Sequence, residues 1–342
     1  MKKLFSLLAA ALFLFACADK PAKKEGKVDL SGASSTQVAT DPYSEKIQEN
    51  PKDATLYLER AKWNMEKGRF AQAVGDLDYA EKLDSSDATL YLMRGESNFF
   101  INKSREARRD YEACVSLDPE NLDCRLKLAQ LYMYVEMTES SFKHLEKALE
   151  LDPNNAEAYF IAGMNYKSLK DTAKAIMQFQ KSVDIQPTVE AYENIGVMYA
   201  AQGNEIALDY YESALNINPS SVSVHYNFGI YYQELKDWNK ALEYYTKALQ
   251  LNADHLPSLF AIGYVHVELK MWEEALARFT RAVNIKPDYI QAWYARGYVL
   301  EQMGDVQAAK RCYEQALSIL ETYQPAIIGL QRLAEGEKQT TE

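Results

Sequence analysis

A repeat of 34 residues runs through most of this 342-residue chain and constrains its fold more than any other feature. When the chain is divided from residue 54 onward, one column holds a small residue in all eight segments, of which the fourth and fifth are one residue shorter. A fixed period of this length indicates an array of repeated helical units. The column contains Ala61, Gly95, Ala129, Gly163, Gly196, Gly229, Gly263 and Gly297.

Two further columns show how each segment folds. A second small residue follows about twelve places after the first, and a large residue comes four places later. Residues three or four apart share one face of a helix, so each segment predicts two helices that approach closely through the small residues. Stacking of segments buries the apolar face that one helix pair leaves open. The large residues are Leu77, Tyr111, Leu145, Phe179, Tyr211, Tyr245, Phe279 and Tyr313.

This pattern closely resembles the tetratricopeptide repeat (TPR) family over residues 54–323. The resemblance implies an all-α fold, a right-handed superhelical solenoid of eight helix pairs. Residues 42–53 match the end of a repeat's second helix, so we expect a half-repeat helix before the array. Residues 324–342 predict a capping helix with a polar tail, because the last repeat of an array needs a cover.

The first 41 residues differ from the array. Two lysines precede an apolar run that ends at Ala16, and this run is shorter than the roughly 20 residues that a membrane-spanning helix needs. Residues 1–16 therefore predict a signal peptide. The sequence from Leu14 to Cys17 resembles the lipobox of bacterial lipoproteins, which implies lipidation of Cys17; an ordinary signal peptide with an incidental cysteine is the alternative. Residues 17–41 are small and polar and predict a flexible tether.

Composition and motifs exclude several kinds of site. The net charge is −11 and the basic residues are scattered, which argues against nucleic acid as a partner. No zinc-protease, phosphate-loop or nucleophile-elbow motif occurs, so we predict no catalytic residue, no metal site and no cofactor. Cys114 and Cys124 lie ten residues apart across one turn between repeats. Either a disulfide or simple core packing would account for them.

The resemblance also implies a binding surface. In the TPR family, the first helix of each repeat lines a concave groove, and here those positions are mainly apolar and aromatic, punctuated by glutamates. Exposed aromatic stripes usually mark interaction sites. Two asparagines resemble those that hold a peptide backbone in some TPR grooves, whereas the basic clamp of chaperone-binding members is missing. The predicted groove residues are Leu92, Phe99, Phe100, Leu126, Met133, Tyr134, Phe160, Met164, Asn194, Tyr226, Asn227, Ile230, Phe260, Tyr264, Tyr294 and Tyr298.

These features favour a lipid-anchored adaptor that binds partner proteins or peptides in its groove and serves the assembly or regulation of a cell-envelope complex. The segment after Cys17 is net basic, and we expect an outer-membrane anchor that faces the periplasm. The alternative is a homo-oligomeric structural protein of the envelope, such as a homodimer, whose groove is occupied by itself. An enzyme is the least favoured class because no reactive constellation exists.

Overall fold

The structure is a computed structural model of the chain that describes residues 41–341, with side chains up to residue 335. The predicted signal peptide, Cys17 and nearly all of the predicted tether lie outside the described residues. Within 41–341 every regular element is an α-helix. None of these helices has both the length and the apolar character needed to cross a membrane.

The chain divides into two compact units, and the division falls after Met198. The N-terminal unit begins with a short helix and continues with alternating first and second helices of successive repeats. Its helices are α1 Ser44–Glu49, α2 Ala54–Glu66, α3 Phe70–Leu83, α4 Ala88–Phe100, α5 Ser104–Leu117, α6 Leu122–Tyr134, α7 Thr138–Leu151, α8 Ala156–Ser168, α9 Thr172–Ile185 and α10 Val189–Ala200, whose last two residues belong to the second unit.

The C-terminal unit follows the same alternation and ends with one additional helix. Its helices are α11 Ile206–Ile217, α12 Val222–Glu234, α13 Trp238–Leu251, α14 Leu256–Glu268, α15 Trp272–Ile285, α16 Ile290–Gln302, α17 Val306–Ile319 and α18 Gln324–Thr341. Within each unit the two helices of a repeat pack together, and second helices also pack on the first helix of the next repeat, as α3 does on α4 and α13 on α14. The all-α TPR fold that the repeat predicts is therefore confirmed.

Turn residues explain where the helices begin and end. Asp87 and Asn121 cap first helices, because their side chains accept hydrogen bonds from the backbone N–H groups of Thr89 and Cys124. After the first helix, one residue adopts the left-handed conformation, such as Gly68 at φ 70° or Gly304 at φ 85°. The left-handed residue recurs once in every repeat, whereas His255 and Tyr289 precede first helices without a side-chain cap.

The small-residue column lets the helices of one repeat approach each other. A Cβ atom added to Gly163 would lie 2.7 Å from the ring of Phe179, and one added to Gly263 would lie 2.7 Å from Phe279. Both rings are almost completely buried. Burial of such a side chain contributes about 1.5–3 kcal/mol to stability. The ring fills the centre of its repeat, and the position opposite it must therefore be glycine.

Candidate interaction surfaces

Three of the predicted groove residues are buried inside their own repeats. Tyr226, Phe260 and Tyr294 occupy the fifth position of a first helix, and at most 8% of each is exposed. Their rings lie 5.5, 5.3 and 5.7 Å from the central aromatic rings of the second helices. These contacts are typical of aromatic core pairs. The three residues therefore hold helix pairs together and offer little surface to a partner.

The other predicted residues differ widely in exposure. Leu126 and Asn227 are also buried, at 3% and 7% exposure. By contrast, Phe100 is 51% and Tyr134 57% exposed. The remaining members of the set are half-buried: Leu92, Phe99, Met133, Phe160, Met164, Asn194, Ile230, Tyr264 and Tyr298.

Four rings in the N-terminal unit form what we name the aromatic patch: Phe70, Phe99, Phe100 and Tyr134. Phe70 and Phe100 stack with their centroids 4.4 Å apart, and Phe99 and Tyr134 lie 5.6 Å apart. The patch thus extends from the end of α4, the first helix of repeat two, to the end of α6, the first helix of repeat three. Phe70 was not among the predicted residues because it begins a second helix, and the sequence places no second-helix residue beside this surface.

The exposure of Phe100 and Tyr134 is specific to two repeats. Many exposed apolar residues of the chain recur in almost every repeat at the helix ends, such as Leu117, Leu151 and Leu251, and so belong to the fold. At the place of Phe100 and Tyr134 the other repeats carry mostly polar or small residues. These residues are Glu66, Ser168, Ala201, Glu234, Glu268 and Gln302.

Polar side chains continue the surface beyond the aromatic patch. The Lys127 Nζ lies 3.9 Å from Glu96 and 3.8 Å from Glu157. Burial raises the pKa of Glu96, and Lys127 opposes this rise. Asn194 is engaged within the unit, since its Oδ1 accepts a hydrogen bond from Lys167 at 2.6 Å and its Nδ2 donates to the Glu190 carbonyl.

The C-terminal unit presents tyrosines beside carboxylates. Burial and the neighbouring Glu268 and Glu234 raise the pKa of Tyr264 to about 12. Burial also raises the pKa of Tyr298. Glu301 is already paired, because Arg332 donates to its carboxylate at 2.6 Å. These tyrosines therefore stay protonated and able to donate hydrogen bonds at neutral pH.

Two cavities open in the N-terminal unit. One of about 470 Å³ lies between α7 and the helices of the next repeat, and Glu139, Lys143, Glu146 and Tyr166 contribute to its lining. The other, of about 280 Å³, lies where repeat four meets repeat five. Among the described residues, no group of three or more histidine, cysteine, aspartate or glutamate side chains could hold a metal ion.

A buried ionic network, which the repeat pattern did not predict, connects the helices of the first two repeats. Arg94 donates to Asp110 at 2.9 Å and to Glu81 at 2.6 Å, and Asn98 also donates to Asp110. Arg60, Asn64 and Asp76 repeat the arrangement 34 residues earlier. The signal in the sequence is that the same three residue types, Arg, Asn and Asp, occur at the same positions of repeats one and two.

The structure joins Cys114 and Cys124 in a disulfide, with their Cα atoms 5.9 Å apart. The bond links the second helix of repeat two to the first helix of repeat three. Of the two explanations that the sequence left open, the structure contains the disulfide. Cys312 is free and buried.

Two family models that match this chain both describe tetratricopeptide repeats. The tetratricopeptide repeat model matches residues 88–121, 122–155 and 156–188. The model of the cilia and flagella-associated protein 70 middle TPR-like domain matches residues 192–321. No curated protein sequence gives a significant match.

One solved structure shows the same fold over most of this chain. The APC/C hetero-tetramer Cut9–Hcn1 superposes with a TM-score of 0.56 at 17% identity, over 86% of this chain and 58% of that chain, so our chain spans little more than half of its length. YrrB, described as a TPR protein with an unusual peptide-binding site, shares 29% identity over 54% of this chain and 95% of its own, with a TM-score of 0.43. MamA shares 25% identity over 48% of this chain and 90% of its own, also with a TM-score of 0.43.

Proposed function

This chain is a tetratricopeptide-repeat protein, and on that premise we propose that it is a lipid-anchored adaptor that binds partner proteins or peptides through the aromatic patch of its N-terminal unit. TPR folds are typically non-catalytic scaffolds for protein interactions. The observation that carries the proposal is the exposure of Phe100 and Tyr134, at 51% and 57%, where other repeats carry mostly polar or small residues. Large exposed aromatic residues are enriched in protein interfaces.

Site-specific photo-crosslinking in cells tests this surface. A benzophenone side chain at position 100 or 134 should capture the same partner, because both positions lie on the patch. The control position is Tyr79, which is 43% exposed on a second helix and should capture it poorly. With the benzophenone at position 100, Phe99→Ala combined with Tyr134→Ala should weaken capture about tenfold or more, as expected for aromatic residues that anchor an interface. If position 79 captures the partner as efficiently as positions 100 and 134, the aromatic patch is not the docking surface.

The same crosslinks distinguish the homo-oligomeric alternative. A product with twice the mass of the chain, containing only this protein, would indicate that a second copy occupies the patch. Light scattering of the purified chain would then show a stable dimer, and Phe99→Ala with Tyr134→Ala would convert it to monomer. A heterologous product from both positions favours the adaptor.

Membrane attachment is a separate part of the proposal. The apolar run before Cys17 supports export and lipidation, and the Cys114–Cys124 disulfide is consistent with an oxidising compartment such as the periplasm. Labelling with radioactive palmitate should mark the wild-type chain and not Cys17→Ser. Fractionation should find the wild type in the outer membrane and the variant in the soluble periplasm. A variant that remains in the outer membrane would disprove the lipid anchor.

The disulfide can be examined in the same fractions. In the lipidated chain, whose Cys17 sulfur is blocked, and in Cys17→Ser, alkylation of the denatured protein without reduction should modify only Cys312, and reduction should expose two further thiols. Three reactive thiols without reduction would contradict the oxidising compartment.

A further inference from the structure

The turn between repeats four and five differs from the corresponding turns. At five of the other six turns between repeats, an aspartate or asparagine begins the turn and accepts a hydrogen bond from the backbone two residues later, as Asp84 does from Ser86 at 2.8 Å and Asp152 from Asn154 at 3.1 Å. Lys286 begins the sixth turn, which keeps the usual length of four residues. Between repeats four and five the turn is one residue shorter and begins with Gln186, whose longer side chain does not form the usual Asx turn. The cavity of about 280 Å³ lies at this turn.

The cavity combines an apolar wall with carboxylates. Ala156 and Phe160 contribute apolar surface, Ser182 and Thr188 contribute hydroxyl groups, and Glu157 and Glu190 contribute carboxylates from two successive first helices. Both glutamates are exposed to solvent. A volume of about 280 Å³ accommodates one long side chain and not a larger ligand.

The cavity walls are held in place before any partner arrives. Phe160 packs against the buried ring of Phe179 with centroids 5.4 Å apart. The Ser182 hydroxyl donates to the Ala156 carbonyl at 2.9 Å, and Thr188 accepts from the backbone N–H of Ala191 at 3.3 Å. A preorganised pocket loses less entropy when it binds a side chain.

The charges around the cavity favour a cation. Lys127 pairs with Glu157 at 3.8 Å and with Glu96 at 3.9 Å, so two carboxylates share its one ammonium group. Lys167 donates to Asn194, whose own amide is bonded to the Glu190 main chain. The pocket lining itself contains two carboxylates, Glu157 and Glu190, and no basic side chain, so it favours a positively charged group. An aromatic wall beside carboxylates suits a planar guanidinium, which stacks and forms forked hydrogen bonds.

We propose that this pocket receives one arginine side chain of the partner segment that docks on the N-terminal unit. The inference rests on the proposed adaptor function, because it names the chemistry of the partner. It adds a specificity site at a place that no repeat pattern predicts. Glu157 and Glu190 bind the guanidinium, and Phe160 covers its face.

Nuclear magnetic resonance on the full chain, labelled with ¹³C in its alanine methyl groups, tests the pocket directly. The probe is N-acetyl-arginine amide at millimolar concentration, and the reporter is the Ala156 methyl group. We expect a saturable shift of this resonance. N-acetyl-citrulline amide, which has the same shape without the charge, should bind about tenfold more weakly, since a hydrogen bond to a charged group is worth at least that factor.

Variants with matched controls assign the effect to the two carboxylates. Glu157→Gln combined with Glu190→Gln should weaken arginine binding about tenfold, and both sites are exposed, so the fold is retained. Glu139→Gln combined with Glu146→Gln removes two carboxylates from the larger cavity of the same unit and should change nothing. Three results would each overturn the proposal. The first is that the Ala156 resonance shows no saturable shift, and the second is that N-acetyl-citrulline amide or N-acetyl-leucine amide binds as tightly as the arginine probe. The third is that the control variant loses as much arginine binding as the pocket variant.

The two proposals fail separately. Crosslinking at the aromatic patch does not require Glu157 or Glu190, so an adaptor whose pocket ignores arginine would still be captured at positions 100 and 134. Arginine binding without any patch crosslink would instead retain the pocket and reject the docking surface.

Discussion

At the scale of single residues, the size of the small-column residue matches the residue opposite it in the second helix. Every repeat with glycine in that column carries an aromatic residue opposite, such as Gly163 with Phe179. The two repeats with alanine carry leucine, Ala61 with Leu77 and Ala129 with Leu145. An alanine methyl and an aromatic ring cannot share this space, because interiors are close-packed.

Gly163→Ala therefore provides a sharp test of packing. The added methyl group would lie 2.7 Å from Phe179, so we expect the free energy of unfolding to fall by about 1–2 kcal/mol, after the gain in helix propensity is included. Adding Phe179→Leu recreates the combination of repeats one and three, and the double variant should be more stable than the sum of the single effects predicts. Urea denaturation of the four proteins measures the coupling. Strictly additive effects would contradict this explanation.

His266 predicts a pH dependence of stability. Burial, with Arg278 nearby, lowers the pKa of His266 below its usual value near 6.5. The unfolded chain then binds more protons than the folded chain below about pH 7, so stability falls as the pH falls. His266→Tyr places there the residue that repeats three to six carry and should reduce this loss, by about 1.4 kcal/mol for each pKa unit of depression. Unfolding midpoints from pH 8 to 5 that run parallel for both proteins would contradict it.

At the scale of helix pairs, repeat two is held partly by charge. Arg94 and Asp110 are 7% and 3% exposed and bonded to each other at 2.9 Å. Asp110→Asn leaves the guanidinium without its buried charged partner, since Glu81 and Asp78 are 36% and 55% exposed, and should cost about 3 kcal/mol. Asp78→Asn, which removes a 55% exposed partner of the same arginine, should cost less than about 1 kcal/mol. Similar losses in thermal or urea unfolding would contradict the assignment.

Repeat three shows how the same positions can be filled without charge. Leu128, Tyr132 and His144 stand where repeat two has Arg94, Asn98 and Asp110. Exchange of all three residues, as Arg94→Leu, Asn98→Tyr and Asp110→His, should destabilise repeat two less than Asp110→Asn alone. The reason is that no buried charge is then left without a partner.

At the scale of the whole molecule, the last helix covers an interface that the array leaves open. In the C-terminal unit, α18 places Gly329 against Tyr313 and pairs Arg332 with Glu301. A chain that ends at residue 323 should lose hydrogen-exchange protection first in α16 and α17, because each repeat is stabilised mainly by its neighbours. Protection in α12 and α13 should fall much less. A uniform loss across the unit would contradict nearest-neighbour stabilisation.

The sequence was a good guide to the helices and a poorer one to the surface. The columns that contain Gly163 and Phe179 predicted the core because each marks a contact inside one repeat. The fifth-position residues Phe260 and Tyr294 were expected on the groove and are buried. Periodicity gives the face of a helix to which a residue belongs, but not whether a neighbouring ring covers it. Phe70 shows the reverse case, since it reaches the exposed patch from a second helix.

The sequence by itself determined the all-α repeat architecture, since helix periodicity, turn residues and small-to-large matching act over a few residues and recur every 34. The tertiary structure decided which aromatic residues remain exposed, that Cys114 and Cys124 join, and that a cavity opens at the short turn after Ile185. Each of these depends on side chains from different repeats, whose distances are set by packing between helices and not by spacing along the chain.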